Sequence, residues 1–166
     1  MAEFLVEGPF EIPIYRRSAG RIVRAQEGNA FFKAHSHLSG RRGCYVVGMR
    51  AGRGVTPTYV GKATKTFKQE CFEPHKLGKL DETLVEYDRG TLVVFFIIAP
   101  TGRGRPPTSQ IGDLEKFLIQ AGVAKNPDLL NVKDTRQAEW SIKGVIRGKS
   151  GRPTRVSSAF KRAMSI

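Results

Sequence analysis

The stretch Leu92-Val93-Val94-Phe95-Phe96-Ile97-Ile98 constrains the fold of this 166-residue chain more than any other feature. Its apolar residues do not alternate with polar ones, so it reads as a strand covered on both faces. It is strand-sized, far short of the roughly 20 apolar residues of a membrane helix. Downstream, Ile111, Leu114, Leu118 and Ala121 fall at helical spacing and give a helix expected over residues 109–121 an inward stripe.

Upstream, short strands are expected at residues 10–15 and 21–24 around the turn Arg17-Ser18-Ala19-Gly20, with Pro13 placing the first at an edge. A helix follows over residues 28–38, with Phe31, Phe32, His35 and Leu38 on one face. Residues 44–49 and 58–61 read as a hairpin looping through Ala51-Gly52-Arg53-Gly54. A helix capped by Thr64 runs to Phe72, and Pro74 stops it; residues 75–88 form a connector with a helical piece over 80–87. After the buried strand come the loop 101–107, the helix over 109–121, an apolar run at 140–146 and a basic helix over 157–163. This order predicts an α+β fold with a small, mostly antiparallel, three-stranded central sheet flanked by helices. Three segments are expected: an N-terminal hairpin and helix (1–42), a core (43–131) and a basic C-terminal extension (132–166).

Charge narrows the choice of partner. Lys plus Arg number 28 against 15 Asp plus Glu, a formal +13. Such an excess implies a polyanion, most often nucleic acid; the alternative is basicity that serves solubility without specific chemistry. Residues 132–166 alone hold nine cations against Asp134 and Glu139. No secretory signal is visible at the N-terminus and no membrane span is expected. Two cysteines, Cys44 and Cys71, make neither a disulfide framework nor a zinc site, so a reducing cytoplasm is the expected setting.

Four motifs follow in order. Gly43-Cys44-Tyr45 and Tyr59-Val60-Gly61-Lys62 lie at the ends of two β-branched runs, where two tyrosines on neighbouring strands could face one site and Lys62 would point a cation at them. Within Leu114-Glu115-Lys116-Phe117-Leu118-Ile119, Glu115 sits at the border of the helix's apolar face. Asn126-Pro127-Asp128-Leu129-Leu130-Asn131 closes the core. Together these residues, covering about half of the chain, resemble the GIY-YIG nuclease family, with Cys44 and Val60 in the places of the two isoleucines. The resemblance implies a metal-dependent endonuclease acting on DNA, with RNA not excluded. It implies Mg²⁺ or Mn²⁺ on Glu115, Tyr45 as general base, and Tyr59, Lys62 and Asn131 orienting water and phosphate. Some relatives carry a histidine near His75 that assists proton transfer; His75 reads equally as a surface residue in a turn. His35 and His37, two positions apart, cannot share a helical face and are set aside as ligands.

The chemistry is coherent. Phosphodiester hydrolysis needs an activated water, charge stabilisation at the phosphoryl oxygens and help for the leaving group. A hard divalent ion on Glu115 would retain several waters. A tyrosine is a poor base, on the order of one in a thousand ionised at pH 7; full ionisation needs about 3 pH units, or ~4 kcal/mol. A nearby ammonium and a metal lower that cost.

One position departs from the pattern. The family's helix arginine, which would grip the scissile phosphate bidentately, falls on Gln69, which has no charge. Lys65, one turn earlier, or Lys68 could substitute, as could Arg103 or Arg105 from the loop. Arg103-Gly104-Arg105-Pro106 resembles the core of the AT-hook, though a flexible loop explains it as well. Arg152 and Arg155 belong to a basic loop suited to backbone contact. The departure keeps a second reading open: a nucleic-acid-binding protein on a nuclease-like fold that has lost catalysis. A basic structural protein of a larger assembly is the third.

Overall fold

The elements run in the order β1 (Leu5–Glu11), β2 (Tyr15–Arg17), β3 (Gly20–Ile22), α1 (Ala25–Ala34), α2 (Ser36–Ser39), β4 (Gly43–Ala51), β5 (Gly54–Ala63), α3 (Phe67–Glu70), α4 (Pro74–Glu86), β6 (Thr91–Ile98), α5 (Thr108–Lys125) and α6 (Arg155–Met164). They come from a computed structural model, which describes residues 2–101, 108–131, 133, 142, 145 and 153–164. The chain divides into two units, Met1–Thr135 and Arg136–Ile166. The fold is α+β. In the first unit an antiparallel four-stranded sheet has the order β1-β6-β4-β5, and β2 pairs with β3 in a separate hairpin. The second unit contains α6, with Lys161 and Arg162 in its last turn. Among the described residues no helix is long and apolar enough to cross a membrane.

Strand alternation sorts the core into two layers. Tyr45, Val47 and Met49 of β4 join Leu92, Val94, Phe96 and Ile98 of β6 against Phe31 and Phe32 of α1, Phe67 of α3, and Leu80 and Leu84 of α4. The opposite face carries Cys44, Val60 and Ile97 against Ile111 and Ile119 of α5. The apolar run at 92–98 is thus a central strand with cover on both sides, as its composition demanded.

The sheet has four strands where three were expected. Leu5–Glu11 pairs with β6, and the register shifts between Glu7 and Phe10, where Gly8-Pro9 is absorbed. That dipeptide reads as a break in the sequence and hid the strand. Because Phe10 and Glu11 pair with Val94 and Val93, the N-terminal hairpin forms later and shorter, Tyr15–Arg17 against Gly20–Ile22. From residues 2–42, Ile12, Val23, Phe31, Phe32 and Leu38 belong to the main core.

The segment after β5 differs as well. The cap is Thr66, not Thr64; its hydroxyl accepts the Gln69 N–H at 3.2 Å, and α3 lasts one turn. Pro74 ends nothing but opens α4, where its missing N–H has no intrahelical partner to lose. The expected connector is therefore a 13-residue helix burying Lys76, Leu80, Thr83 and Leu84. The β2–β3 hairpin holds its far end: the Arg21 guanidinium donates to the Leu84 carbonyl at 3.4 Å and to that of Tyr87, and Val23 N–H donates to Asp81 at 2.9 Å.

Candidate active site

The two tyrosines are placed by the β4–β5 register. Tyr45 lies opposite Gly61, and Val47 opposite Tyr59. Facing residues of an antiparallel pair share a face, so Tyr45 and Tyr59 are diagonal neighbours, ring centroids 6.3 Å apart at 54°. Gly61 makes room for this. A Cβ there would overlap Cζ and Oη of Tyr45 and come within 2.8 Å of Cε1, so the glycine of one motif is the slot for the tyrosine of the other. Gly43 has φ +145°, and a Cβ would overlap the Ile97 carbonyl oxygen, so glycine lets β4 lie close against β6.

Their accessibilities differ. Tyr45 is 2% exposed, and its hydroxyl has no hydrogen-bond partner among the described residues. Burial pushes its phenol well above the usual 10, with Cys71, Tyr59, Glu73 and Glu115 acting the same way. Tyr59 is half-buried; burial and then Glu115 raise its phenol too. Burial thus opposes the ionisation expected of Tyr45 as a base, and Tyr59 is the less buried of the two tyrosines.

Lys62 lies opposite Cys44, hence on the α5 side of the sheet, and does not point at the tyrosines. Its Nζ sits 2.7 Å from Oε2 of Glu115, with the two side chains 44% and 16% exposed. This pair joins residues 53 positions apart. Burial first, then the Glu115 charge, pushes the Cys44 thiol up to about 12, and its Sγ donates to the Ile111 carbonyl at 3.3 Å. The tyrosine pair and the Lys62–Glu115 pair therefore occupy opposite faces of the edge strand β5. Glu115 remains near enough to act on the Tyr59 phenol. Among the described residues no three His, Cys, Asp or Glu side chains converge as a metal cage. A magnesium-like ion needs less, one or two carboxylates with waters and substrate phosphate oxygens, and Glu115 fits that donor set.

The remaining expected residues scatter. Asn131 is at β5, where Nδ2 donates to the Val60 carbonyl at 2.8 Å and Oδ1 accepts the Val60 N–H at 2.9 Å. With Leu130 N–H on the Thr58 carbonyl at 2.8 Å and Asn126 Nδ2 on that of Pro57 at 2.8 Å, residues 126–131 cover the open edge of β5. Both polar ends of Asn131 thus hold the strand that carries Tyr59. His75 is 69% exposed, 3.9 Å from Glu73. Lys65 and Lys68 are exposed, and Gln69 is tied to the Thr66 hydroxyl in the α3 cap. Arg155 is exposed at the start of α6, in the second unit. Arg103, Arg105 and Arg152 lie outside the described residues, as does most of the apolar run at 140–146.

One residue escaped the sequence reading. Lys76 is 7% exposed, and its Nζ lies 5.8 Å from the centroid of the Tyr45 ring. Its spacing to Leu80, Thr83 and Leu84 (i, i+4, i+7, i+8) is the signal that a helical reading of residues 75–88 would have exposed. No protein-family model matches this chain, and no curated protein or solved structure matches it.

Proposed function

We propose that this chain is a metal-dependent endonuclease of the GIY-YIG type, hydrolysing phosphodiester bonds in DNA. The observation that carries the reading is that β5 presents Tyr59, next to Tyr45 of β4, on one face and Lys62, paired with Glu115 of α5, on the other. An antiparallel sheet with helices on both faces, in which β6, β4 and β5 are neighbours, supports this reading, although the sheet has four strands where the reading expects three.

Mg²⁺ or Mn²⁺ held by Glu115 would supply positive charge at the phosphoryl oxygens and an activated water. Lys62 holds the Glu115 carboxylate in place and brings a cation to the same edge of the sheet. Tyr59 carries the phenol that reaches water or phosphate. Tyr45, the general base by resemblance, packs behind Tyr59 and sets its position. Asn131 fixes β5 at Val60, next to Tyr59. The basic C-terminal segment, including Arg152 and Arg155, binds the phosphate backbone without reading bases. Two buried free cysteines suit a reducing cytoplasm.

One observation favours the second reading, a DNA-binding protein without catalysis. The place of the family's arginine is occupied by Gln69, a neutral side chain engaged in a helix cap. Nicking of supercoiled plasmid with Mg²⁺ or Mn²⁺ separates the two. Metal-dependent nicking that disappears in Glu115→Ala supports the nuclease. Salt-sensitive binding with no nicking under either metal supports the binding protein.

A further inference from the structure

The face of the sheet that carries the tyrosines has its own cation, and it comes from α4. Among the described residues Lys76 is the one charged residue that is buried, at 7% exposure. An ammonium taken from water must be paired, because an isolated buried charge is very costly. Lys76 has two partners: the Glu70 carbonyl at 2.5 Å and Oε2 of Glu73 at 3.3 Å.

The partners differ in kind. The carbonyl is fixed at the end of α3. Glu73 is 40% exposed and stands at the N-cap of α4, yet its side chain makes no capping hydrogen bond. Its separation from Lys76 also exceeds the 2.7–2.9 Å usual for a charge-assisted pair. A half-exposed carboxylate that caps no backbone N–H and is held only by the longer contacts to Lys76 and, at 3.9 Å, to His75 can swing into water. Behind the ammonium lies the Tyr45 ring, with a buried hydroxyl that has no partner among the described residues. Lys65 and Lys68, by contrast, are exposed.

We propose that Lys76 is a phosphate-binding residue gated by Glu73: in the free protein the Glu73 carboxylate stands where a backbone phosphate of the nucleic acid binds, and the phosphate displaces it. The exchange trades one anion for another, so the ammonium stays paired throughout and need not leave its buried position. The proposal rests on the reading that the ligand is nucleic acid. It does not require cutting.

The test is the salt dependence of binding to a labelled duplex, for wild type, Lys76→Met, Glu73→Gln, the double variant, and Glu86→Gln as a control for net charge. Lys76→Met is expected to lower the slope of log K against log salt by about 0.9, one phosphate contact. Glu73→Gln is expected to bind about 3- to 10-fold tighter than Glu86→Gln, because the competing anion is gone. The double variant should bind no tighter than Lys76→Met alone. An unchanged slope in Lys76→Met, or a Glu73→Gln protein no tighter than the control, overturns the proposal. If Lys76→Met does not fold, the Glu73→Gln comparison decides alone. A wild type that binds but never nicks refutes the nuclease reading while these comparisons stand. A wild type without salt-dependent binding overturns both.

Discussion

Gly61→Ala adds a single methyl group where the two tyrosine motifs meet. Its Cβ would overlap Cζ and Oη of Tyr45, a ring that is 2% exposed and packed against Tyr59 and Phe96. Tyr45 can yield only by leaving its place or by parting β4 from β5. Overpacking of this kind costs about 1–3 kcal/mol. For a chain of this length each kcal/mol lowers Tm by about 2–4 °C, so a fall of roughly 2–12 °C is expected. Tyr45→Leu alone leaves a cavity worth about 2–4 kcal/mol, but it also clears the space that the new methyl needs. In a double-mutant cycle by urea denaturation, Gly61→Ala with Tyr45→Leu should therefore be less destabilised than the sum of the single variants, by about 1–3 kcal/mol. Additivity within about 0.5 kcal/mol would mean that the two residues do not share that space and that Gly61 is not the slot for Tyr45.

The Glu115 charge opposes ionisation of the Tyr59 phenol, so Glu115→Gln should lower the pKa of Tyr59; ultraviolet difference titration, with Tyr59→Phe to assign the signal, reads it. Asn131→Ala leaves both polar groups of Val60 without their partners and should cost about 1–3 kcal/mol in urea denaturation. Glu27 is held at about 2, chiefly by its hydrogen bond from Arg24 at the start of α1. Because its folded pKa is depressed, its stabilisation is present above the unfolded value of about 4.3 and is lost as pH falls through the folded one. Glu27→Gln should thus lower Tm at neutral pH and flatten its decline between about pH 4.5 and pH 2.

Local pattern foretold much of this fold, and it failed where pairing depended on distant partners. The uninterrupted run at 92–98 demanded a central strand, and the spacing of Ile111 and Leu118 demanded α5, because burial on two faces or on one stripe writes itself into composition. The edge strand β1 left no such trace. Its Leu5 and Val6 are exposed, its pattern is broken by Gly8-Pro9, and its stability comes from β6, some 90 residues away. Pro74 was ambiguous in principle, since the same missing N–H that ends one helix suits the first turn of the next. For the site, the motifs named Lys62 and Glu115, and the fold joins them. The three-residue spacing of Tyr59 and Lys62 on one strand already puts them on opposite faces, because strand side chains alternate; the expectation that Lys62 would point at the tyrosines overlooked that parity. The motifs could not show that a lysine from a helix read as connector lies over Tyr45.

The central claim is that the β5 edge hydrolyses phosphodiesters, and single-turnover cleavage of an end-labelled duplex tests it most directly. Wild type, Glu115→Gln and Tyr59→Phe would be compared in Mg²⁺ and Mn²⁺, with the binding constant of each measured at the same salt. The account predicts metal-dependent cutting by wild type, a loss of about 100-fold or more in both variants, and binding retained within a few-fold. Wild type that binds without cutting in either metal, or variants that cut as fast as wild type, would contradict it.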